Sequence, residues 1–368
     1  MATLKASTAI IESAHRCHFV RAEEDVGALR RAVVELASRC LGLRAADAAL
    51  VATELGTNLV RHATPGGYVL YRADREGIEL LAVDRGPGLA HQGQLALRGA
   101  AHASPDPPAR RRGLGIGLGV VARTATEFDL YSSRPGGTVV LARLLSHPRQ
   151  RTWCRWGAVN VPRDHVGDSG DGWMVSVNGT LTALVVDGLG HGEAAARAAR
   201  AAISVFAAQP GAELADLMDR ADQAMRSTRG GALGACSIDP GSPGASFGAG
   251  LRYVGVGNVV GRLFSQGKSQ GLVGREGTLG TPLGVRRAPV ATYQWPPGAT
   301  VILASDGLRT RWDPLAYPGL LGRDPSVVAA VLHRDFGRTS DDATVLVIED
   351  LRSGSSGAEE GRLASPRR

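Results

Sequence analysis

Cysteine and aromatic residues are scarce in this chain. Four cysteines occur in 368 residues, at positions 17, 40, 154 and 236, and none forms a CxxC pair. Such spacing argues against a disulfide framework and reads as reduced thiols in a cytoplasmic protein. Aromatics make up only 5% of the chain, so alanine, leucine and valine must fill most of any core. No run of eighteen apolar residues is present, and no membrane span is expected. Residues 1–19 lack an apolar stretch behind a basic start, so no secretory signal is expected either. No internal repeat is visible. The net charge of +7 raises the question of nucleic acid, but the arginines are scattered and rarely interleaved with aromatics. No nucleic-acid partner is expected. Arg110, Arg111 and Arg112 form the one tight basic cluster, directly before a glycine-rich loop, and read as a phosphate-facing lid.

The length allows two domains and a tail. Apolar residues recur at helical spacing near 23–41, and a second helix is expected over 45–62. Strand-like runs follow at 68–73, 78–84, 127–132 and 138–144, an α+β sandwich pattern. The polar, basic stretch SHPRQRTWCR breaks this pattern. It places a first domain at 1–148, a linker at 149–155 and a second domain at 156–350. In the second domain strands dominate, at 156–161, 173–177, 180–187, 232–238, 251–256, 300–305 and 344–349. Helices are expected at 193–208, 212–227 and 326–336, giving a β-sandwich flanked by helices. The end, 351–368, is poor in apolar residues and is expected to be disordered.

Three elements in the first half suit a nucleotide. Glu54 and Asn58 are four apart on the second helix, so they share one face, where a carboxylate and an amide could serve as a base and a Mg²⁺ ligand. Asp84 ends the apolar run ELLAV and could accept a hydrogen bond from an adenine amino group, with Gly86 and Gly88 letting a base approach the backbone. Gly113, Gly115, Gly117 and Gly119 open a helix whose backbone amides form a phosphate nest. Each element alone is weak; their order and spacing carry the reading. Together they resemble the GHKL ATPase superfamily, with Glu54–Ala63 as its N-box, DRGPG as its G1 box, GLGIGLG as its G2 box, and Thr138 in the late threonine element. No separate dimerisation helix bearing a phosphoacceptor histidine precedes the N-box, so the match narrows to the anti-sigma-factor class of serine kinases and the stressosome switch kinase. The resemblance implies a Bergerat-type α/β sandwich binding ATP with Mg²⁺. In it Asn58 holds the ion, Glu54 assists the attacking hydroxyl and Asp84 reads adenine.

The second half carries five candidate aspartates in four motifs: Asp168 in GDSGDG, Asp187 in VVDGLGHG, Asp306 in LASDGL, and Asp341 with Asp342 in SDDAT. Asp-Gly pairs most often mark turns. Here two of them follow apolar strands, so carboxylates stand at several strand ends, where oxygen ligands suit Mg²⁺ or Mn²⁺. The set resembles the protein phosphatase 2C superfamily in its SpoIIE-like branch, over 156–350. By that resemblance Asp168, Asp187, Gly188, Asp306 and Asp341 bind two metal ions, Asp187 bridging them and acting catalytically. Asp342 is left as a supporting carboxylate, Asp171 has no counterpart, and His191 belongs to a turn or to solvent. The combination implies a bifunctional partner-switching regulator of sigma-factor or stress signalling. Its partner would be an anti-sigma-factor antagonist, a stressosome-type phosphoprotein or a sigma factor. The alternative is a first half that binds ATP only to sequester a partner, with phosphatase action as the sole chemistry.

Overall fold

The computed structural model describes residues 10–11, 13–73, 76–89, 116–134, 136–149, 152–165, 167–241, 249–281 and 288–352. Gly113, Gly115 and Arg110–Arg112 lie outside these residues, as does most of the expected tail. Within the described residues there are six α-helices and three antiparallel sheets.

The first sheet has the order β2-β3-β4-β6-β5: Arg16–Val20, Gly67–Ala73, Gly77–Asp84, Gly137–Leu145 and Glu127–Ser133. Helices α1 (Glu23–Ala37), α2 (Ala45–His62) and α3 (Ile116–Thr124) cover one face. Helix α1 starts where the Asp25 carboxylate accepts the backbone N–H groups of Arg21 and Ala22, which have no partner inside the helix. Strands β4 and β6 are buried along their whole length. Ile78, Leu80 and Ala82 face the helices, while Leu81 and Val83 face the opposite way. Such a strand, apolar on both faces, belongs to a sheet covered on both sides.

The second half is a β-sandwich. One sheet runs β1-β8-β9-β10-β11-β14: Ile10–Ile11, Asp171–Asn178, Thr180–Gly188, Gly231–Asp239, Gly250–Val256 and Ala291–Gln294. The other runs β13-β12-β15-β16-β7: Lys268–Gly271, Val260–Ser265, Thr300–Ala304, Ala343–Asp350 and Cys154–Val161. Trp173, Val185, Cys236, Leu303 and Leu346 fill the space between them. Helices α4 (Glu193–Ala208) and α5 (Leu214–Met225) cover the first of these sheets. The expected helices and strands are present within a residue or two at most ends. The short strands β1, β2, β12, β13 and β14 were not expected.

Helix α6 (Pro325–Phe336) joins the halves. It lies between β4, β5 and β6 of the first sheet and β7 and β16 of the sandwich. Leu70, Leu81, Val139 and Leu141 from one side and Val159, Val345 and Val347 from the other close a single core around its Val327–Leu332. A buried charge network fixes its start. Arg143 donates through Nη1 and Nη2 to the two oxygens of Asp324 at 2.9 Å each and through Nε to Glu79 at 2.7 Å. Asp324 caps the helix by accepting Ser326 N–H, and Ser326 Oγ donates to Glu79. Burial alone would raise the Glu79 carboxyl, but Arg72 and Arg143 hold it well below its ordinary range. The Arg72 guanidinium also lies over the Trp173 ring, 5.2 Å from its centroid, in the sandwich. The chain order does not follow this division, since Ile10 and Ile11 pair with Val175 and Met174 in the second half's sheet.

Candidate functional sites

In the first half, the turn after β4 is built around the Asp84 side chain. Its Oδ1 accepts the backbone N–H of Gly86 at 2.7 Å and of Thr138 at 3.1 Å. Thr138 and Ser132 share a hydroxyl hydrogen bond of 2.9 Å, and Ser132 Oγ accepts Leu89 N–H. Burial raises the Asp84 carboxyl, against the lowering effect of these N–H groups and of Arg334. Gly88 has φ +71°, and a Cβ there would lie 2.3 Å from the Ser133 carbonyl. Glu54 and Asn58 are half-buried on one face of α2. A Cβ on Gly117 would sit 2.5 Å from Glu54 Oε2, so the start of α3 lies against that carboxylate. Gly119 follows on the same helix. The fold thus brings Asp84, Gly86 and Thr138 into one cluster, and Glu54 and Gly117 into another, and a side chain on Gly88 or Gly117 would collide with the Ser133 carbonyl or with Glu54. These residues fit a nucleotide.

In the second half, β8 and β9 form a hairpin that places Asp171 opposite Asp187. Asp171 is buried, and its Oδ2 accepts Ser305 Oγ at 2.6 Å. Burial, and then the neighbouring carboxylates, push Asp187 well above the ordinary range; Asp171, Asp306 and Asp341 all contribute. Burial also raises Asp171 and Asp341. Asp306 accepts Asn258 Nδ2 at 2.6 Å. Asp342 accepts Arg163 N–H at 2.8 Å and Gly170 N–H at 2.9 Å, so it ties down the loop that leads into β8. Glycine is required at 188 and 307: a Cβ would lie 2.2 Å from the Ala195 carbonyl and 1.9 Å from the Asp342 carbonyl, respectively.

Asp168 stands apart from this group. Its side chain is 58% exposed and pairs with Arg200 at 3.7 Å. The aspartate that joins Asp187, Asp306 and Asp341 is Asp171. The sequence contains a signal for it: Asp171 and Asp187 are equally far from Gly179 in the hairpin turn. His191 is exposed in the loop before α4. A cavity of about 430 Å³ opens beside Asp187, lined also by Leu189, Asn258, Glu276 and Thr278.

Among the described residues, no three His, Cys, Asp or Glu side chains are grouped so as to hold a metal ion. The carboxylates of Asp171, Asp306 and Asp341 instead act on Asp187 through their charges, and Asp187 lines the cavity. Burial and then the neighbouring carboxylates raise the proton affinity of Asp171, Asp187 and Asp341, which a divalent cation would relieve. This donor set fits Mg²⁺ or Mn²⁺, which retain several waters and bind through one or two carboxylates.

A helix-backed sheet with an Asp-centred turn, followed by a helix-flanked sandwich with carboxylates at its strand ends, defines a GHKL-like unit joined to a phosphatase 2C-like unit. The family comparisons agree. Residues 19–144 match the histidine kinase-like ATPase domain, and residues 178–314 match stage II sporulation protein E (SpoIIE). The chain is therefore a GHKL-type domain fused to a SpoIIE-type domain. Similar solved structures include one described as "The bacterial stressosome: a modular system that has been adapted to control secondary messenger signaling". It shares 25% identity and a TM-score of 0.47 over 53% of this chain and 98% of that one. Another is the PP2C phosphatase domain with a regulatory fragment of SpoIIE from Bacillus subtilis (16%, TM-score 0.45, 74% and 79%). A third holds the RsbU and RsbW domains of Rv1364c from Mycobacterium tuberculosis (19%, TM-score 0.44, 54% and 61%). The family models carry the assignment, not these likenesses. A search of curated proteins gives no match. No helix among the described residues is long and apolar enough to cross a membrane.

Proposed function

We propose that the second half is a metal-dependent serine/threonine protein phosphatase and that the first half is an ATP-dependent serine kinase acting in the same partner-switching circuit. The observation that carries the phosphatase reading is the convergence of Asp171, Asp187, Asp306 and Asp341 beside an open cavity. Asp187, Gly188, Asp306 and Asp341 would hold the cations, with Asp171 behind Asp187. When bound, the cations supply an acidified water and neutralise charge on the phosphate oxygens. The protein's own part is positional. Ser305 fixes Asp171, Asn258 fixes Asp306, and Asp342 holds the loop before β8. The cavity of about 430 Å³ at Leu189, Glu276 and Thr278 would receive the phosphorylated side chain.

In the first half, Asp84 would read the adenine amino group, Asn58 would hold Mg²⁺ and Glu54 would accept the proton of the attacking serine hydroxyl. Gly117 and Gly119, with Gly113 and Gly115 outside the described residues, would bind phosphates. The partner would be a small phosphoacceptor protein of the anti-sigma-antagonist or stressosome type, or a sigma factor, encountered in the cytoplasm.

The test uses the full chain. Asp187→Asn is expected to lower dephosphorylation of a phosphoserine partner about a thousandfold or more, a loss of several kcal/mol, and to leave phosphate transfer from ATP intact. Asn58→Ala is expected to do the reverse. Loss of both activities from either change would contradict two independent chemistries. Tight complex formation by the Asp187→Asn chain with ATP and no phosphoserine would select sequestration over transfer.

A further inference from the structure

The turn that holds the nucleotide-site aspartate is not built by the first half alone. Arg334, near the end of α6, has a side chain only 1% exposed. Its Nη1 donates to the Asp84 carbonyl oxygen at 3.3 Å, while Nε and Nη2 donate to Asp335 at 2.9 and 2.7 Å. Arg85, next to Asp84, returns the contact: it donates to the Arg334 carbonyl and, through Nη1 at 3.3 Å, to Asp335. Tyr317 donates its hydroxyl to the other oxygen of Asp335. The Asp84–Arg85 turn and the last turn of α6 therefore form one hydrogen-bonded unit across the two halves.

The same helix end is bound to the phosphatase-type site. Arg309 N–H donates to the Phe336 carbonyl at 2.9 Å, and Arg338 N–H donates to the Gly307 carbonyl at 2.8 Å. Leu308 and Gly337 form a β-bridge between these segments. Gly307 follows Asp306 and packs directly on the Asp342 carbonyl. Only a few residues of α6 thus separate a contact to Asp84 from a contact to the Asp306 loop. Interdigitated packing along α6 makes this path stiff.

We propose that Arg334, supplied by the phosphatase-type half, is a positioning residue of the nucleotide pocket, and that through it nucleotide binding and divalent-cation binding at the Asp187–Asp306 cluster are thermodynamically linked. The proposal rests on the reading of Asp84 as a nucleotide residue and of Asp187 as a cation ligand. Linkage is reciprocal: a nucleotide that tightens the Asp84 turn changes cation affinity by the same factor by which the cation changes nucleotide affinity.

The test is a double-mutant cycle in the full chain, read by the affinity of a fluorescent ADP analogue in saturating Mn²⁺. Any cation travelling with the nucleotide is common to all four proteins and cancels. In the unmodified background, Asp187→Asn is expected to change the analogue's affinity about fivefold or more. In the Arg334→Lys background, which keeps a cation beside Asp335 but shortens the reach to Asp84, the same change is expected to have less than about a twofold effect. Arg334→Lys alone should weaken the analogue several-fold. Arg85→Ala, at a side chain 65% exposed, repeats the measurement if Arg334→Lys does not fold. An analogue that binds with no effect of Asp187→Asn overturns the linkage while leaving the nucleotide reading in place. An undiminished effect in both the Arg334→Lys and Arg85→Ala chains overturns the role of this contact. Failure of the analogue to bind the unmodified chain overturns the linkage and the nucleotide reading together.

Discussion

Two aspartates three positions apart in GDSGDG meet opposite fates. Asp168 is solvated and paired with Arg200, whereas Asp171 is buried against Ser305 and faces Asp187. Their residue type and motif are the same; only the hairpin register separates them. Asp168→Asn is accordingly expected to change phosphatase activity less than about threefold, the usual scale for an exposed ion pair. Asp171→Asn should lower it about a hundredfold or more, since it removes a group that sets the charge of the cluster. Steady-state assays with a phosphoserine protein distinguish the two. Asn258 is a second case that motif reading missed, because an asparagine after Gly257 looks like turn chemistry alone. It holds one oxygen of Asp306, and Asn258→Ala should weaken Mn²⁺ binding about tenfold in a calorimetric titration. Asp187, Asp306 and Asp341 were legible because each ends or begins an apolar strand. Asp84 was legible for the same reason.

At the scale of elements, the long strands and helices could be read because hydrophobic periodicity marks them. Strand β13 (KSQG) could not, since it is an exposed edge without apolar residues, and β14 (ATYQ), an edge of the other sheet, is too short for its alternation to stand out. Helix α6 was legible as a helix, but its place was not. Its Val-Val-Ala-Ala-Val-Leu run is apolar all round, the mark of a helix with no solvent face. The continuous apolar strands β4 and β6 are the matching sign on the sheet it covers. Ala329 and Ala330 are fully buried in that layer, so Ala330→Leu should overpack it at a cost of about 1–3 kcal/mol. Asp324→Ala removes both the helix cap and the bidentate partner of Arg143, and should cost about 3 kcal/mol or more. Urea unfolding of the full chain measures both.

For the whole molecule, the consequence is that the two halves share one core. Apolar side chains of the first sheet, Leu81, Val83, Val139 and Leu141 among them, share one core with α6 and other second-half residues. Separated from the second half, the first half would expose them as a contiguous patch and is expected to aggregate. The intact chain should unfold in one transition. The interface also gives stability a pH dependence. His15 is buried beside Arg72 and Glu79, and burial, then Arg72, lower its pKa to about 4. Between that value and its ordinary 6.5 the unfolded chain binds the extra proton, so stability falls as pH drops through this window, by up to about 1.4 kcal/mol per pH unit. Glu79, held low, contributes stability above its unfolded value and loses it only in more acid solution. The raised Asp171 and Asp187 carboxyls act in the opposite sense and the buried His333 in the same sense, so the test is a difference: the urea midpoint of the unmodified chain relative to that of His15→Gln should fall from pH 7.5 to 6 to 5.

The most direct measurement is anomalous diffraction at the manganese edge from crystals of the full chain grown with Mn²⁺. The account requires peaks among Asp187, Asp306 and Asp341, with Asp171 behind them and Asp168 outside. Manganese bound at Asp168, or no peak within reach of Asp187, would contradict it.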